Sequence, residues 1–355
     1  MNEGIDLASI IKDQGIKLGS LLQEKDILVK DLGADMTVKI DLKLVSKRLQ
    51  STKDGKKFIL LTLADKSGVL RAIDWSFPQE YDKNLRIGQI VRVSGHTVMF
   101  ENRLQLNIFK EQGSLEVLDE TQIYQEKFIE KSSKDPQEMI LYIKNAIDTI
   151  TTLGIKKLLE SFFVQDNGFI KKFTELPAGM TVHHAYKNGL LEHTCTVLKI
   201  SINLCSIYKG IIDEDIMIAG AILHDIGKIY EYSIYPYGIE KTDNGELIGH
   251  IVMGCSMIYE KARNIEELDN KTLEHIVHIV ASHHGEIEYG SPVIPKTIEA
   301  QLLHFCDNMD SKVSQFRTCI DNSLKSSVDS NWTEYDKSLG RRLMFNKEFF
   351  AGGSI

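Results

Sequence analysis

The feature that most constrains this chain is a change of period. Between Thr37 and Gln112 apolar and polar residues alternate in five short runs, TVKIDLKLVSKRLQ, KKFILLTLADKSG, VLRAIDW, GQIVRVSGHTVMF and RLQLNIFKEQ. A period of two sends successive side chains to opposite faces, the pattern of half-buried strands. From Pro136 to about residue 315 the repeat becomes helical. The clearest segments are PQEMILYIKNAIDTI, LLEHTCTVLKISINLCSIY, DEDIMIAGAILHDIG, LIGHIVMGCSMIYEKAR, NKTLEHIVHIVASHHG and KTIEAQLLHFCDNMDSKV. Strands followed by helices, without alternation of the two, predict a multidomain α+β chain: an all-β domain, then an all-α bundle.

Five strands in about 80 residues suit a small antiparallel barrel or sandwich. A long first strand, a hairpin, an interruption at FPQEYDKNLRIG and a last hairpin resemble an oligonucleotide-binding (OB) fold, expected over 36–118. Residues 1–35 are an unassigned lead-in in which LASIIKDQGIKLGSLL could form a short helix. The polar stretch 119–135 reads as a linker, 136–315 as the helical domain, and 316–355 as a weakly patterned, unassigned tail. No apolar run has the length of a membrane span, and the N-terminal residues lack a signal-peptide pattern. The five cysteines are widely spaced with no CxxC pair, which disfavours a disulfide framework or a thiolate zinc site and predicts a cytoplasmic setting.

The formal charge of −8 hides an uneven spread. Residues 37–118 carry 14 Lys+Arg against 9 Asp+Glu, a net of +5, which leaves −13 for the remainder. Lys53, Lys56, Lys57 and Arg71 belong to this basic segment, interleaved with Phe58, Trp75, Phe77 and Tyr81. Cations with exposed rings are how OB barrels hold single strands. Trp75, followed by a polar loop, is the stacking candidate; Phe58 is expected in the core.

In the helical half, polar ligands recur on apolar stripes. His193 shares a stripe with Val197, Ile200 and Leu204. His224 continues Met217, Gly220 and Ala221, with Asp225 beside it. His250 begins a helix, His284 ends the stripe Leu273, Val277, Val280 with His283 adjacent, and Asp307 follows Ala300 and Leu303. Gly285 is expected to end its helix. One inward histidine is ordinary packing; seven such groups in the order H…HD…H…HH…D predict a metal centre built from a bundle interior. Imidazoles and carboxylates without thiolate suit Mn, Fe, Co, Ni or Zn. Asp225 can offer one oxygen to each of two cations, as a two-metal hydrolytic centre requires. His275 and His278 fall off the stripe and are expected at the surface, and His304 is expected in packing.

The set His193, His224–Asp225, His250, His283–His284 and Asp307, with HDIGK after the HD pair, resembles the HD-domain metal-dependent phosphohydrolases. HHAYKNGLLEHT and the preceding OB-like barrel narrow this to the YhaM-type 3′–5′ exoribonucleases, over roughly residues 36–315. The resemblance implies one cation held by His193, His224, Asp225 and Asp307. It implies a second held by Asp225, His250 and one or both of His283 and His284, with manganese first among the metals. Lys228 would neutralise charge on the phosphate beside the catalytic Asp225. His183 and His184, nearly three turns before His193, either touch the nucleotide or simply lie in a loop. Asn188 stands where a second small residue is expected, a departure bearing on substrate fit. The implied partner is single-stranded RNA, with single-stranded DNA the alternative, no membrane, and room for a homo-oligomer. The rival readings are a phosphohydrolase of small or cyclic nucleotides, which would not need the basic barrel, and a non-catalytic single-strand-binding protein.

Overall fold

The computed structural model describes residues 27–351 except 112, 181–183, 236 and 326–329. Its contacts divide the chain into two units, one reaching to Glu130 with Tyr235–Gly238 added, the other comprising Lys131–Ile234 and the chain from Ile239. LASIIKDQGIKLGSLL lies outside the described residues.

The first unit is a closed barrel of β1 (Thr37–Ser51), β2 (Lys57–Asp65), β3 (Gly68–Asp74), β4 (Ile90–Phe100) and β5 (Arg103–Ile108). Strand β1 serves two partners: Thr37–Lys43 pairs with β4 and Lys43–Ser51 with β2, both antiparallel. The register slips between Leu44 and Ser46, a bulge that lets one long strand bend around the barrel. Parallel pairing of β3 with β5 completes the ring β1-β2-β3-β5-β4. Ile40, Leu42, Leu61, Leu63, Ala72 and Val93 are among the alternate residues that fill it. The interruption after Trp75 is a helix, α1 (Pro78–Asn84), with Pro78 at its first turn and Tyr81 buried in the barrel core. A short sixth strand, β6 (Leu115–Val117), flanks β4.

The second unit is helical. It contains α2 (Pro136–Thr149), α3 (Leu153–Phe163), α4 (Asn167–Glu175), α5 (Gly189–Ile207), α6 (Glu214–Leu223) and the short α7 (Lys228–Glu231). A hairpin of β7 (Tyr232–Tyr235) and β8 (Gly238–Lys241) precedes α8 (Asp243–Leu247), α9 (His250–Ala262), α10 (Asn270–Ser282), α11 (Ile298–Lys325) and α12 (Lys347–Ala351). Every residue of α6 from Asp215 to Leu223 is buried, as expected of a central helix apolar all round. Gly220 lets it approach α10: a Cβ there would stand 2.7 Å from Ile279 Cγ2. No described helix is long and apolar enough to cross a membrane.

Two expectations change. Helix α11 does not stop near 315 but runs to Lys325. The tail then folds back as a hairpin with bridges Trp332–Met344 and Asp336–Arg341, burying Leu343 and Phe345. His275 and His278 are not at the surface but half-buried, because the 296–299 segment packs on them: His275 Nε2 lies 3.0 Å from Thr297 Oγ1, and His278 accepts from the Lys296 amide at 2.9 Å.

Asp215 joins α6 to the α2–α3 connection. Its carboxylate accepts from the Thr151 amide and hydroxyl and from the Thr152 amide at 2.7–3.2 Å. Burial alone would raise this carboxyl; the hydrogen bonds from Thr152 and Thr151 outweigh it and hold the group below its ordinary 3.8. A depressed folded value means stability present above 3.8 and lost as pH falls through the lower folded value. Asp215→Ala strands those donors and is predicted to cost about 2–3 kcal/mol near neutrality. In urea melts the gap between the two proteins should narrow as the medium is acidified; a gap that widened would contradict the assignment.

Candidate metal centre

Each inward histidine is oriented from behind. His224 caps the C-terminus of α6 and its Nδ1 lies 2.9 Å from the Ala221 carbonyl oxygen. His283 caps α10 in the same way, 2.7 Å from the Val280 oxygen. His284 Nδ1 is 2.9 Å from the Tyr289 oxygen. The two remaining rings back onto carboxylates: His193 Nδ1 on Asp310 Oδ2 at 2.7 Å, His250 Nδ1 on Glu231 Oε2 at 2.5 Å. An acceptor behind Nδ1 fixes the proton there and turns a bare Nε2 forward, the arrangement seen behind metal-bound histidines.

The forward nitrogens meet around Asp225. On one side His193 Nε2 and His224 Nε2 each lie 3.4 Å from Asp225 Oδ2, with Asp307 Oδ1 3.2 Å from His193 Nε2. On the other, His250 Nε2 and His283 Nε2 lie 3.6 and 3.7 Å from Asp225 Oδ1. The two oxygens of one carboxylate therefore face two separate donor sets, and both sets are close enough internally to hold an ion: His193, His224 and Asp307, then His250, His283 and His284. Because α10 ends at Ser282, His283 and His284 lie past the helix and both rings join the second set, 4.4 Å apart between centroids. Gly285, at φ 80, makes the turn that follows.

This donor set fits cations. His250 Nε2, His283 Nε2 and Asp225 Oδ1 are buried and make no hydrogen bond among the described residues. Buried polar atoms in that state are costly. His193 and His224 bring Nε2 to Nε2 at 3.1 Å, so at least one proton or cation must lie between them. Burial disfavours charge on His193, yet hydrogen bonds with Asp307 and Asp310 carry it up to about 9. A proton there does what a metal would do. Burial and the neighbouring His284 push His283 far down, which keeps it neutral and able to donate its lone pair.

Lys228 is buried, and its ammonium lies 2.7 Å from Asp225 Oδ2. Burial would raise the Asp225 carboxyl; Lys228, His224 and His250 hold it well below the usual carboxylate range. Gly227 sets the spacing. A Cβ at that position would meet the His250 carbonyl oxygen at 2.0 Å, so only glycine lets the turn after Asp225 press against the start of α9. A cavity of about 820 Å³ opens over the cluster, lined by Asp225, Lys228, His250, His284 and Asp307 among others.

His184, expected at the nucleotide, is instead buried behind His193. Its Nε2 is 2.8 Å from Asp310 Oδ2 and its Nδ1 2.8 Å from Tyr186 Oη. His183 lies outside the described residues. Asn188 is explained by its backbone rather than by a substrate: at φ 69 it starts α5 in the left-handed region, where asparagine is tolerated, and its amide donates to the Thr174 carbonyl. His304 packs as expected, its ring against the His283 carbonyl at 2.9 Å. Sequence reading missed Asp310 and Glu231. Their signals were faint: Asp310 follows Asp307 by three residues, and Glu231 follows Lys228 by three.

On the barrel, Lys53, Lys56, Lys57 and Arg71 are exposed. Phe58 is not core; half-buried, it packs against Trp75 with centroids 4.5 Å apart, and Lys56 Nζ stands 5.3 Å from the Trp75 ring. The strand alternation that buries Ile59 leaves Phe58 on the outer face.

A family model described as the HD domain matches residues 190–312, and one described as an OB-fold nucleic acid binding domain matches 39–112. This is the OB-then-HD order of the YhaM-type exoribonucleases. The HD domain indicates a metal-dependent hydrolase, of a class that binds divalent metals, and the OB-fold indicates nucleic-acid binding. Among solved structures, the chain is similar to a domain of replication protein A from Methanococcus maripaludis, at 17% identity, 26% of this chain, 94% of that one and a TM-score of 0.22. It is also similar to the replication factor A related protein from Methanobacterium thermoautotrophicum, at 23% identity, 28% and 96% coverage and a TM-score of 0.21.

A carboxylate behind a ligating histidine typically carries 10–100-fold in metal affinity. Asp310→Asn, which keeps the shape but removes the charge at His193 Nδ1, is predicted to weaken Mn²⁺ binding by roughly that factor. Calorimetric titration of the metal-stripped protein measures it, and an undiminished affinity would mean that His193 needs no carboxylate behind it.

Proposed function

We propose that this chain is a 3′–5′ exoribonuclease that removes nucleoside 5′-monophosphates from single-stranded RNA. The observation that carries the reading is the division of Asp225, whose two oxygens each face their own set of imidazoles beneath an open cavity. His193, His224, Asp225 and Asp307 would hold one divalent cation, and Asp225, His250, His283 and His284 the other, manganese in the first instance. When bound, such a pair activates water near neutral pH and offsets charge on both the attacking and the leaving oxygen of a phosphodiester.

The chain's own residues do the rest. Asp310 and Glu231 hold His193 and His250 in their forward-facing orientation. Lys228, lining the cavity beside Asp225, supplies a fixed ammonium to the phosphate oxygens as their charge grows. On the barrel, Phe58 and Trp75 form a ring pair for base stacking, with Lys53, Lys56, Lys57 and Arg71 to track the backbone. These groups lie on β2, on and just after β3, and in the β1–β2 turn, the part of an OB barrel that commonly meets oligonucleotides. Tethering the barrel to the hydrolase raises the local concentration of strand at the reacting end. The polarity and the choice of RNA rest on the resemblance carried by HHAYKNGLLEHT and the domain order. A hydrolase of small nucleotides would share the metal cluster but leaves the basic barrel without a purpose.

With Mn²⁺, a 5′-labelled single-stranded RNA should shorten in single-nucleotide steps on a denaturing gel. Asp225→Ala removes the bridge between both donor sets and should abolish the ladder; a variant that degraded RNA at the wild-type rate would overturn the assignment. Trp75→Ala should cost about 1–3 kcal/mol in strand binding, read by fluorescence anisotropy.

A further inference from the structure

Three lysines from separate elements line the cavity: Lys228 of α7, Lys241 of β8 and Lys312 of α11. Two of them are already compensated. Lys228 lies on Asp225, and Lys241 Nζ is 3.3 Å from Glu231 Oε1. Lys312 is exposed, and no carboxylate among the described residues pairs with it. Its ammonium is steered by a neutral partner, Gln315 Oε1 at 3.4 Å. Gln315 is itself buried, and its Nε2 donates to Ser338 Oγ at 2.6 Å. Ser338 in turn donates to Asp336 Oδ1 at 2.5 Å, and Asp336 also accepts from the Leu339 amide and from Cys319 Sγ. The returning C-terminal hairpin thus reaches the cavity wall and fixes the glutamine that aims the lysine.

Position gives that lysine a use. Lys312 is five residues beyond Asp307 on one helix, about 7.5 Å further along its axis. An ammonium with no carboxylate partner among the described residues, set along the helix from Asp307 in the same cavity wall, is a point-charge site for an anion that is not being cleaved. In a cavity of about 820 Å³, more than one nucleotide's worth of strand can enter.

We propose that Lys312, aimed by Gln315 and the C-terminal hairpin, is a subsite for the backbone phosphate next to the one being hydrolysed. The site would then recognise an oligonucleotide end in preference to a mononucleotide. The inference rests on the phosphodiesterase reading above and adds the substrate class that the cavity selects.

The test uses the full-length Mn²⁺-loaded protein hydrolysing bis(p-nitrophenyl) phosphate, which carries a diester but no second phosphate. The competitors are two phosphorothioate-linked dinucleotides, with and without a 5′-phosphate. In wild type the 5′-phosphate should lower Ki roughly tenfold, the scale of one hydrogen bond to a charged group. Lys312→Gln should erase that difference, Lys312→Arg should restore most of it, and the log–log salt slope for the phosphorylated competitor should flatten by about 0.7 in Lys312→Gln. Equal Ki values for the two competitors in wild type would overturn the proposal. So would a Lys312→Gln variant that weakens both competitors alike. The readout does not depend on exonuclease activity: a wild type that left RNA intact while keeping the Ki difference would refute the exoribonuclease reading and retain the subsite.

Discussion

Five imidazoles cannot share an interior by chance of packing, because their nitrogens repel one another unless each has its proton assigned. Here the assignment comes from behind. Three rings are held by backbone carbonyls and two by buried carboxylates, and every one is backed at Nδ1. The backbone partners are available because His224 and His283 stand at helix ends, where the ring reaches a carbonyl three residues back. Termination of α6 and α10 inside the protein is therefore the constraint from which the centre follows. Were either helix to continue, its carbonyls would be spent on the next turn.

That constraint also explains why α6 is buried on all sides. Two donor sets converge at its end, so α5, α10 and α11 pack against it while α9 closes on the turn that follows. Gly220 and Gly227 mark where that approach is tightest. Asp310 extends the arrangement outward: it contacts both His193 and His184, and His184 leads through Tyr186 to Glu192, which also binds Ser132 and Lys134. Positioning of one forward nitrogen is thereby shared with the connection that leads into the helical unit.

Much of this was legible in the sequence, and the reason is contrast. An ionisable residue on an apolar stripe stands out against its neighbours, so His193, His224, His284 and Asp307 could be picked out by periodicity, with Asp225 and His283 beside them and His250 at a helix start. The five strands of the barrel showed for the same reason. Asp310 lies among other polar residues and Glu231 sits between two tyrosines where helix gives way to strand, so neither stood on a stripe that marked it as inward until the fold buried it. His184 carried the opposite error, since a loop histidine beside a ligand helix invites a substrate role, and only the tertiary path puts it behind the centre. Phe58 looked like core from its composition; its strand parity places it outside. The C-terminal hairpin was invisible because its two bridges pair residues of mixed character that follow neither period.

Gly227 carries a consequence for tolerance to change. Its hydrogen occupies the gap between the turn after Asp225 and the first carbonyl of α9. That gap fixes how far His224 stands from His250, and so works as a spacer gauge whose thickness is a single C–H. Any bulkier residue would open the gauge and move one donor set away from the other without replacing any of the donor residues. A centre of this kind can be disabled without losing any of the groups that define it.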